Sequence, residues 1–207
     1  MKKTTIFFRL TLLLLLAIVV SCTQESIEDQ LPPITQTGAN TFAFAYDGVV
    51  FTPTDGNSRG FGIDGSGASG LIFSRGYYAD EDPNSVKIQA DRYTNIKNVL
   101  FIYIYIYKLD SIGIGTYPLG TYTVRNGFYE PYNSYIVLYA KSPSTGERVG
   151  YSSWDNSGEI IITRKDEDHS IYSGTFSGKL RNETETIEIS HGRFDINYDT
   201  YRDKEYK

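Results

Sequence analysis

From Asn40 onward, apolar and polar residues alternate with a period of two, as in "VKIQAD", "ETIEIS" and "FDINYD". Successive side chains leave opposite sides of a pleated strand, so this period marks strands with one buried and one wet face. At least eight such runs follow one another, from "TFAFAY" through "LIFSRGYY", "VLFIYIYIYK", "SYIVLYAK" and "EIIITRK" to "SIYSGTFSG" and "GRFDINY". Turn pairs such as Asp47-Gly48, Asn126-Gly127 and Thr145-Gly146 separate them, so neighbours are expected to pair antiparallel through short connections. The expected fold is all-β: a single antiparallel β-sandwich or flattened barrel over residues 40–207, with mainly meander and hairpin connections. About 170 residues bury roughly 70% of the unfolded chain's surface, enough for one such domain.

The strand Val99 to Tyr107 is the expected centre of the sheet. Leu100, Ile102, Ile104 and Ile106 fall on one face, and Phe101, Tyr103, Tyr105 and Tyr107 on the other. A strand apolar on both faces belongs mid-sheet. The isoleucine face has no hydroxyls that need partners, so it should be the deepest core. The tyrosines either lie under a second layer or form an open platform for sugar rings. The covered arrangement is favoured, because four aligned aromatics in water make a larger apolar patch than a monomer usually shows. The segment Thr52 to Gly70, with six glycines and few core candidates, reads as a long mobile loop.

The N-terminus has a different pattern. Lys2 and Lys3 precede an apolar stretch broken by Arg9, and the run from Leu10 to Val20 is uninterrupted apart from Thr11. A spanning helix needs about twenty apolar residues and a secretory signal only about seven to fifteen, so residues 1–21 read as a signal peptide. It ends on Val19-Val20-Ser21-Cys22, which resembles the bacterial lipobox whose cysteine is acylated before cleavage. Cys22 is the chain's one cysteine, so no disulfide can form within a single chain and no thiol chemistry is expected in the folded domain. Residues 22–39, polar and acidic with Pro32-Pro33, read as a lipidated flexible stalk. The expected location is the cell envelope, anchored to a membrane through Cys22. Thr23, Glu25, Glu28 and Asp29 point to the outer membrane.

Cleavage before Cys22 removes Lys2, Lys3 and Arg9, so the formal charge moves from −5 to −5 − 3 = −8. A protein this acidic, with no Lys/Arg cluster, excludes nucleic acid as a main partner.

Several motifs suggest chemistry and fail on context. "GNSRG" (56–60) spells the G-x-S-x-G nucleophile elbow with Ser58, but that elbow needs a strand turning into a helix, and glycines follow here. "GSGASG" (65–70) spells a dinucleotide fingerprint, yet a strand follows it where a helix is required. "DEDH" (166–169) gathers carboxylates and an imidazole, but four consecutive residues between two strands read as a solvated hairpin turn. His169 and His191 lack the spacing that puts two imidazoles on one metal. No catalytic residue, metal or cofactor is expected.

The C-terminal third, "GEIIITRKDEDHSIYSGTFSGKL" followed by "ETIEISHGRFDINY", resembles the signature of a Bacteroidota lipoprotein family of unknown function. The matching positions include Gly158, Ile160, Ile162, Thr163, Asp166, Ser173, Gly174, Thr175, Phe176, Gly192, Arg193, Phe194 and Asp195. "NTFAFAYDGVVFTP" (40–53) resembles that family's first strand, turn and short return strand. Gly178 departs from the pattern, where a second aromatic is usual, and so does His191, where asparagine or aspartate is commoner. The resemblance implies a lipid-anchored β domain and supplies no catalytic residues. Read physically, Gly174 and Gly192 permit close backbone approach or a bulge, Phe176 and Phe194 supply core aromatics, and Arg193 with Asp195 ties a strand end or belongs to an exposed binding edge.

Three function classes remain. The first is a non-catalytic envelope lipoprotein that binds an envelope partner or packs into an assembly. The second is a glycan or small-ligand binder, supported by the tyrosine density around "NGFYEPYNSYIVLY" (126–139) and using Tyr103, Tyr105 and Tyr107, with Arg193 and Asp195 as further candidates. The third, least favoured, is a hydrolase using Ser58 or the acidic turn at 166–169. "DSI" (110–112) resembles a bacterial O-glycosylation acceptor centred on Ser111.

Overall fold

The first hairpin forms where the sequence offers Asp47-Gly48, whose φ values of 43° and 78° are the left-handed pair a two-residue turn needs. It joins β1 (Thr41–Tyr46) to β2 (Val49–Phe51). The computed structural model describes residues 26–54, 70–75, 82–93, 99–122, 124–125, 128–129 and 132–200. The loop expected over Thr52 to Gly70 lies mostly outside these residues, as do Asn126-Gly127, Ser58 and Cys22.

The chain divides after Gln30 into residues 1–30 and Leu31–Lys207. In the first unit, Glu28–Gln30 is a 3₁₀ turn closed by Asp29, which accepts from the Ser26 hydroxyl at 2.7 Å. All described strands belong to the second unit. After the first hairpin come β3 (Leu71–Arg75), β4 (Val86–Tyr93) and β5 (Val99–Ile106). A one-turn helix, α1 (Leu109–Ile112), leads to β6 (Gly115–Pro118) and to the separate pair β7 (Val124–Arg125) and β8 (Phe128–Tyr129). Then follow β9 (Tyr135–Lys141), β10 (Arg148–Ser152), β11 (Gly158–Asp166), β12 (Ile171–Arg181) and β13 (Thr186–Asn197).

Eleven strands make one antiparallel sheet in the order β2-β1-β13-β12-β10-β9-β5-β4-β3, with β11 and β6 branching from β12. It curls into a half-barrel, and the expected all-β fold is what forms. Curling brings distant strands together around the interior. Arg92 of β4 donates to the carbonyls of Thr52 and Val50 at 3.0 and 3.1 Å and lies over the Phe51 ring. At the other end, Phe73 of β3 packs on Tyr172 of β12 with ring centroids 4.8 Å apart.

The strand expected at the centre is interior but off-centre, third from the β3 edge. β5 lies between β4 and β9, and Ile102, Ile104 and Ile106 are fully buried in the main core. The C-terminal signature proves to be an interlocking device. Gly174 pairs with Phe194 and Phe176 with Gly192, so each glycine faces the other strand's ring. A Cβ on Gly192 would lie 2.5 Å from the Phe176 ring, and one on Gly174 would lie 2.7 Å from Phe194.

The runs "ETIEIS" and "GRFDINY", expected as separate strands, form one strand with a bulge at Ser190 and His191. Phe176 pairs with Gly192 and Gly178 with Ile189, so two residues oppose one. The bulge reverses which residues face inward: Ile187 and Ile189 before it, Phe194 and Ile196 after it. His191 sits at φ 55°, a left-handed conformation that asparagine and aspartate adopt more readily.

One boundary needs correction. Residues 31–39 were expected within the flexible stalk, but they belong to the sheet's own unit and Leu31 is buried. Composition alone suggested too few apolar residues to join a core. The segment docks instead through hydrogen bonds to buried charges.

Candidate functional site

Past the bulge, the odd-numbered residues of β13 leave the outer face of the sheet, away from the main core. Arg193 and Asp195 stand there, and residues 31–39 cross over them as a strap. Asp195 accepts from the Thr35 hydroxyl at 2.6 Å and from the backbone N–H groups of Thr37, Gly38 and Ala39 at 2.9, 2.8 and 3.1 Å. Ser173 of β12, in register beside it, donates a further bond at 2.7 Å. Arg193 donates to the carbonyl of Pro32 at 3.0 Å. A bulge in β11 at Thr163 turns Arg164 onto the same face, where it donates to the Gln36 carbonyl.

Burial pushes the Asp195 carboxyl upward, but the bonds from Thr35, Ala39, Ser173 and Thr37 outweigh it and hold the pKa at about 2. Arg193 and Asp195 thus tie the strand through charge-assisted hydrogen bonds, the first of the two expected roles, and the alternative of an exposed binding edge is overturned. They are 4% and 1% exposed, so the strap occupies the surface such an edge would offer. Gly38 makes the crossing possible: its φ is +74°, and a Cβ there would come 2.7 Å from Asn197.

The outer face of β5 and β9 is aromatic. Register sets Tyr105 against Tyr135, Tyr103 against Val137 and Phe101 against Tyr139. Tyr105, Tyr135 and Val137 form a second buried cluster, flanked by Tyr103, Tyr107 and Tyr122. The rings of Tyr105 and Tyr135 stack at 5.2 Å, and Tyr122 tilts against Tyr135 at 5.0 Å. Burial and the neighbouring hydroxyls push the Tyr135 phenol far above its ordinary range.

Tyr105, an expected binding residue, is therefore fully buried and offers no surface. Tyr107 lies just past the end of β5 and packs, half-buried, on the cluster beneath the Lys108 ammonium. Tyr103 is half-buried beside them.

At its other end this face is open. Phe101 and Tyr139 stack with centroids 4.5 Å apart and planes 23° from parallel, and Tyr139 is 39% exposed. The Arg148 guanidinium lies 5.5 and 5.7 Å from the two ring centroids. Tyr139 leans over Gly150, where a Cβ would stand 3.1 Å from the ring. Sequence reading included Tyr139 only as the end of the tyrosine-dense "NGFYEPYNSYIVLY" and overlooked Arg148. The signal was the alternation in "SYIVLYAK", which sets Tyr135, Val137 and Tyr139 on one face, but only the register brings that face beside Phe101.

The remaining candidates are accounted for locally. Asp166 ends β11 as part of the expected hairpin turn. Hydrogen bonds from Arg164 at 2.6 Å and from His169 hold its carboxyl down at about 2. Among the described residues no group of three His, Cys, Asp or Glu side chains is placed to hold a metal. Asp110 in α1 receives Lys165 and Arg75 within 4 Å, closing one end of the half-barrel. The adjacent Ser111 is exposed, with its hydroxyl donating to the Lys108 carbonyl at 3.2 Å. Among the described residues no helix is long and apolar enough to cross a membrane. No family model, no curated protein and no solved structure matches the chain.

Proposed function

We propose that this chain is a lipid-anchored protein of the cell envelope, acylated on Cys22, whose β domain acts by non-catalytic binding. The anchor rests on the lipobox-like Val19-Val20-Ser21-Cys22 and on the resemblance of the C-terminal signature to a lipoprotein family. Thr23 and the acidic residues behind it favour the outer membrane. The binding role rests on one structural observation, the division of the sheet's outer face. Over residues 171–176 of β12 and 192–197 of β13 it is sealed by the strap, whereas the strip of Phe101, Tyr139 and Arg148 stays open to solvent.

Ser111, exposed within the acceptor-like "DSI", is the proposed position of an O-linked sugar, which an intact mass of the native protein reveals and Ser111→Ala removes.

Cys22→Ser tests the anchor. The wild-type protein should partition into detergent and carry an acylated N-terminal cysteine by mass spectrometry, and the variant should stay unprocessed. A variant that is cleaved normally and remains in water would sink the reading.

A further inference from the structure

We infer that Arg148, Lys141 and Tyr139 form a subsite for a carboxylate-bearing sugar, a uronate unit of an acidic polysaccharide. The inference rests on the open strip being the binding face and adds the ligand's chemical class.

Arg148 is held in place without being satisfied. The stacked rings of Phe101 and Tyr139 lie 5.5 and 5.7 Å from its guanidinium carbon. Its N–H groups make no hydrogen bond or ion pair among the described residues. A guanidinium fixed by aromatic rings loses little freedom on binding, and its forked donors match the two oxygens of a carboxylate.

Lys141 stands directly opposite Arg148 in the β9–β10 register, on the same face and also exposed. It too has no hydrogen bond or ion pair among the described residues. Like charges placed opposite each other on a sheet destabilise it. An anion seated between the two removes that repulsion. Asp91, paired with Phe101 on the same face, is buried and accepts from Gln89 at 3.0 Å. Glu147, the exposed acid next to Arg148, lies before β10 begins and is not ion-paired with Arg148.

Two further observations select the ligand. Tyr139 exposes its ring beside this cation pair, giving the C–H face of a pyranose an aromatic surface to pack on. The mature chain's charge of −8 repels a dense polyanion such as nucleic acid at long range, whereas one carboxylate per sugar ring fits two local cations.

The test titrates the detergent-solubilised, acylated protein with polygalacturonate and with its fully methyl-esterified form, which keeps the rings and loses the charge. The acid polymer should bind, and the ester should bind roughly tenfold or more weakly. Arg148→Ala should weaken the acid polymer by a similar factor while melting with wild type. Arg148→Lys should fall between, because it keeps the charge and loses the fork. Lys141→Ala should show a smaller loss. Failure of the wild type to bind overturns the inference, as does equal binding of acid and ester. Arg148-dependent capture of phosphatidylglycerol vesicles without polymer binding overturns it too, assigning the site to a lipid headgroup. Intact anchoring without polymer binding breaks this inference alone. A soluble, normally cleaved Cys22→Ser variant that still binds breaks the anchor reading alone.

Discussion

Past the bulge, over residues 171–176 of β12 and 192–197 of β13, the outer face of the sheet carries charge and is sealed by the chain's own residues 31–39; over β5 and β9 it carries aromatic rings and is sealed at one end only. The two coverings differ in kind. Asp195 gathers three consecutive backbone N–H groups and three hydroxyls at fixed distances, so only a strap of one conformation satisfies it. The tyrosine cluster is held by stacked rings, which tolerate partial coverage because an exposed ring edge leaves no charge unpaired. A buried charge makes its surface all or none, whereas an aromatic surface can be graded from core to exposed face. The open end of that gradient is where ligand chemistry is available.

The largest effect is expected at the charged end. Asp195→Ala leaves the strap's donors without their acceptor and should destabilise the domain by about 4 kcal/mol in chemical denaturation. Hydrogen exchange should rise across residues 31–39. A variant that keeps wild-type protection there would break the distinction between the two coverings.

Tyr105→Ala removes a ring from the closed end of the aromatic face and should cost about 3 kcal/mol, as large-to-small core changes do. If it melts like wild type, that end is no core at all.

Acid titration gives the next effect. The pKa of Asp195 lies near 2 in the folded chain against 3.8 for the free group, so its contribution is complete above about pH 4 and is lost as pH falls toward 2. By linkage that amounts to about 2 kcal/mol. Asp195→Asn should show no such loss in this window, measured against wild type by urea melts at each pH. An equally steep acid loss in Asp195→Asn would move the effect to another carboxylate, such as Asp166.

Gly38→Ala should cost about 1–2 kcal/mol, through its positive φ and the contact with Asn197. Tyr139→Ala should cost less than about 1 kcal/mol, because its ring is already partly in water. A loss at Tyr139 as large as that at Tyr105 would erase the gradient along the aromatic face.

Much of this was legible in the residues. The alternation in "VLFIYIYIYK" gave β5 its interior place and its isoleucine core face, and the glycines and phenylalanines of the C-terminal signature were readable as close approach and core. The strand β10 was missed because Gly150 interrupts its alternation, and β6 because four residues ending in Pro118 carry too little pattern. Arg193 beside Asp195 was readable as a charge-assisted tie, but an exposed edge stayed open beside it because charged residues in a strand usually are exposed. The strap that buries them, with the Pro32 carbonyl accepting from Arg193 and the Thr35 hydroxyl donating to Asp195, lies more than 150 residues away in sequence.

By itself, the sequence determined the all-β class, the two faces of β5 and the cysteine at the end of the apolar N-terminal run, because each is a local pattern of side-chain chemistry along the chain. Only the tertiary structure decided that residues 31–39 are part of the domain and that Arg148 and Tyr139 meet Phe101. Strand order and register bring together residues far apart in the chain, and a bulge of one residue decides which face each of them joins.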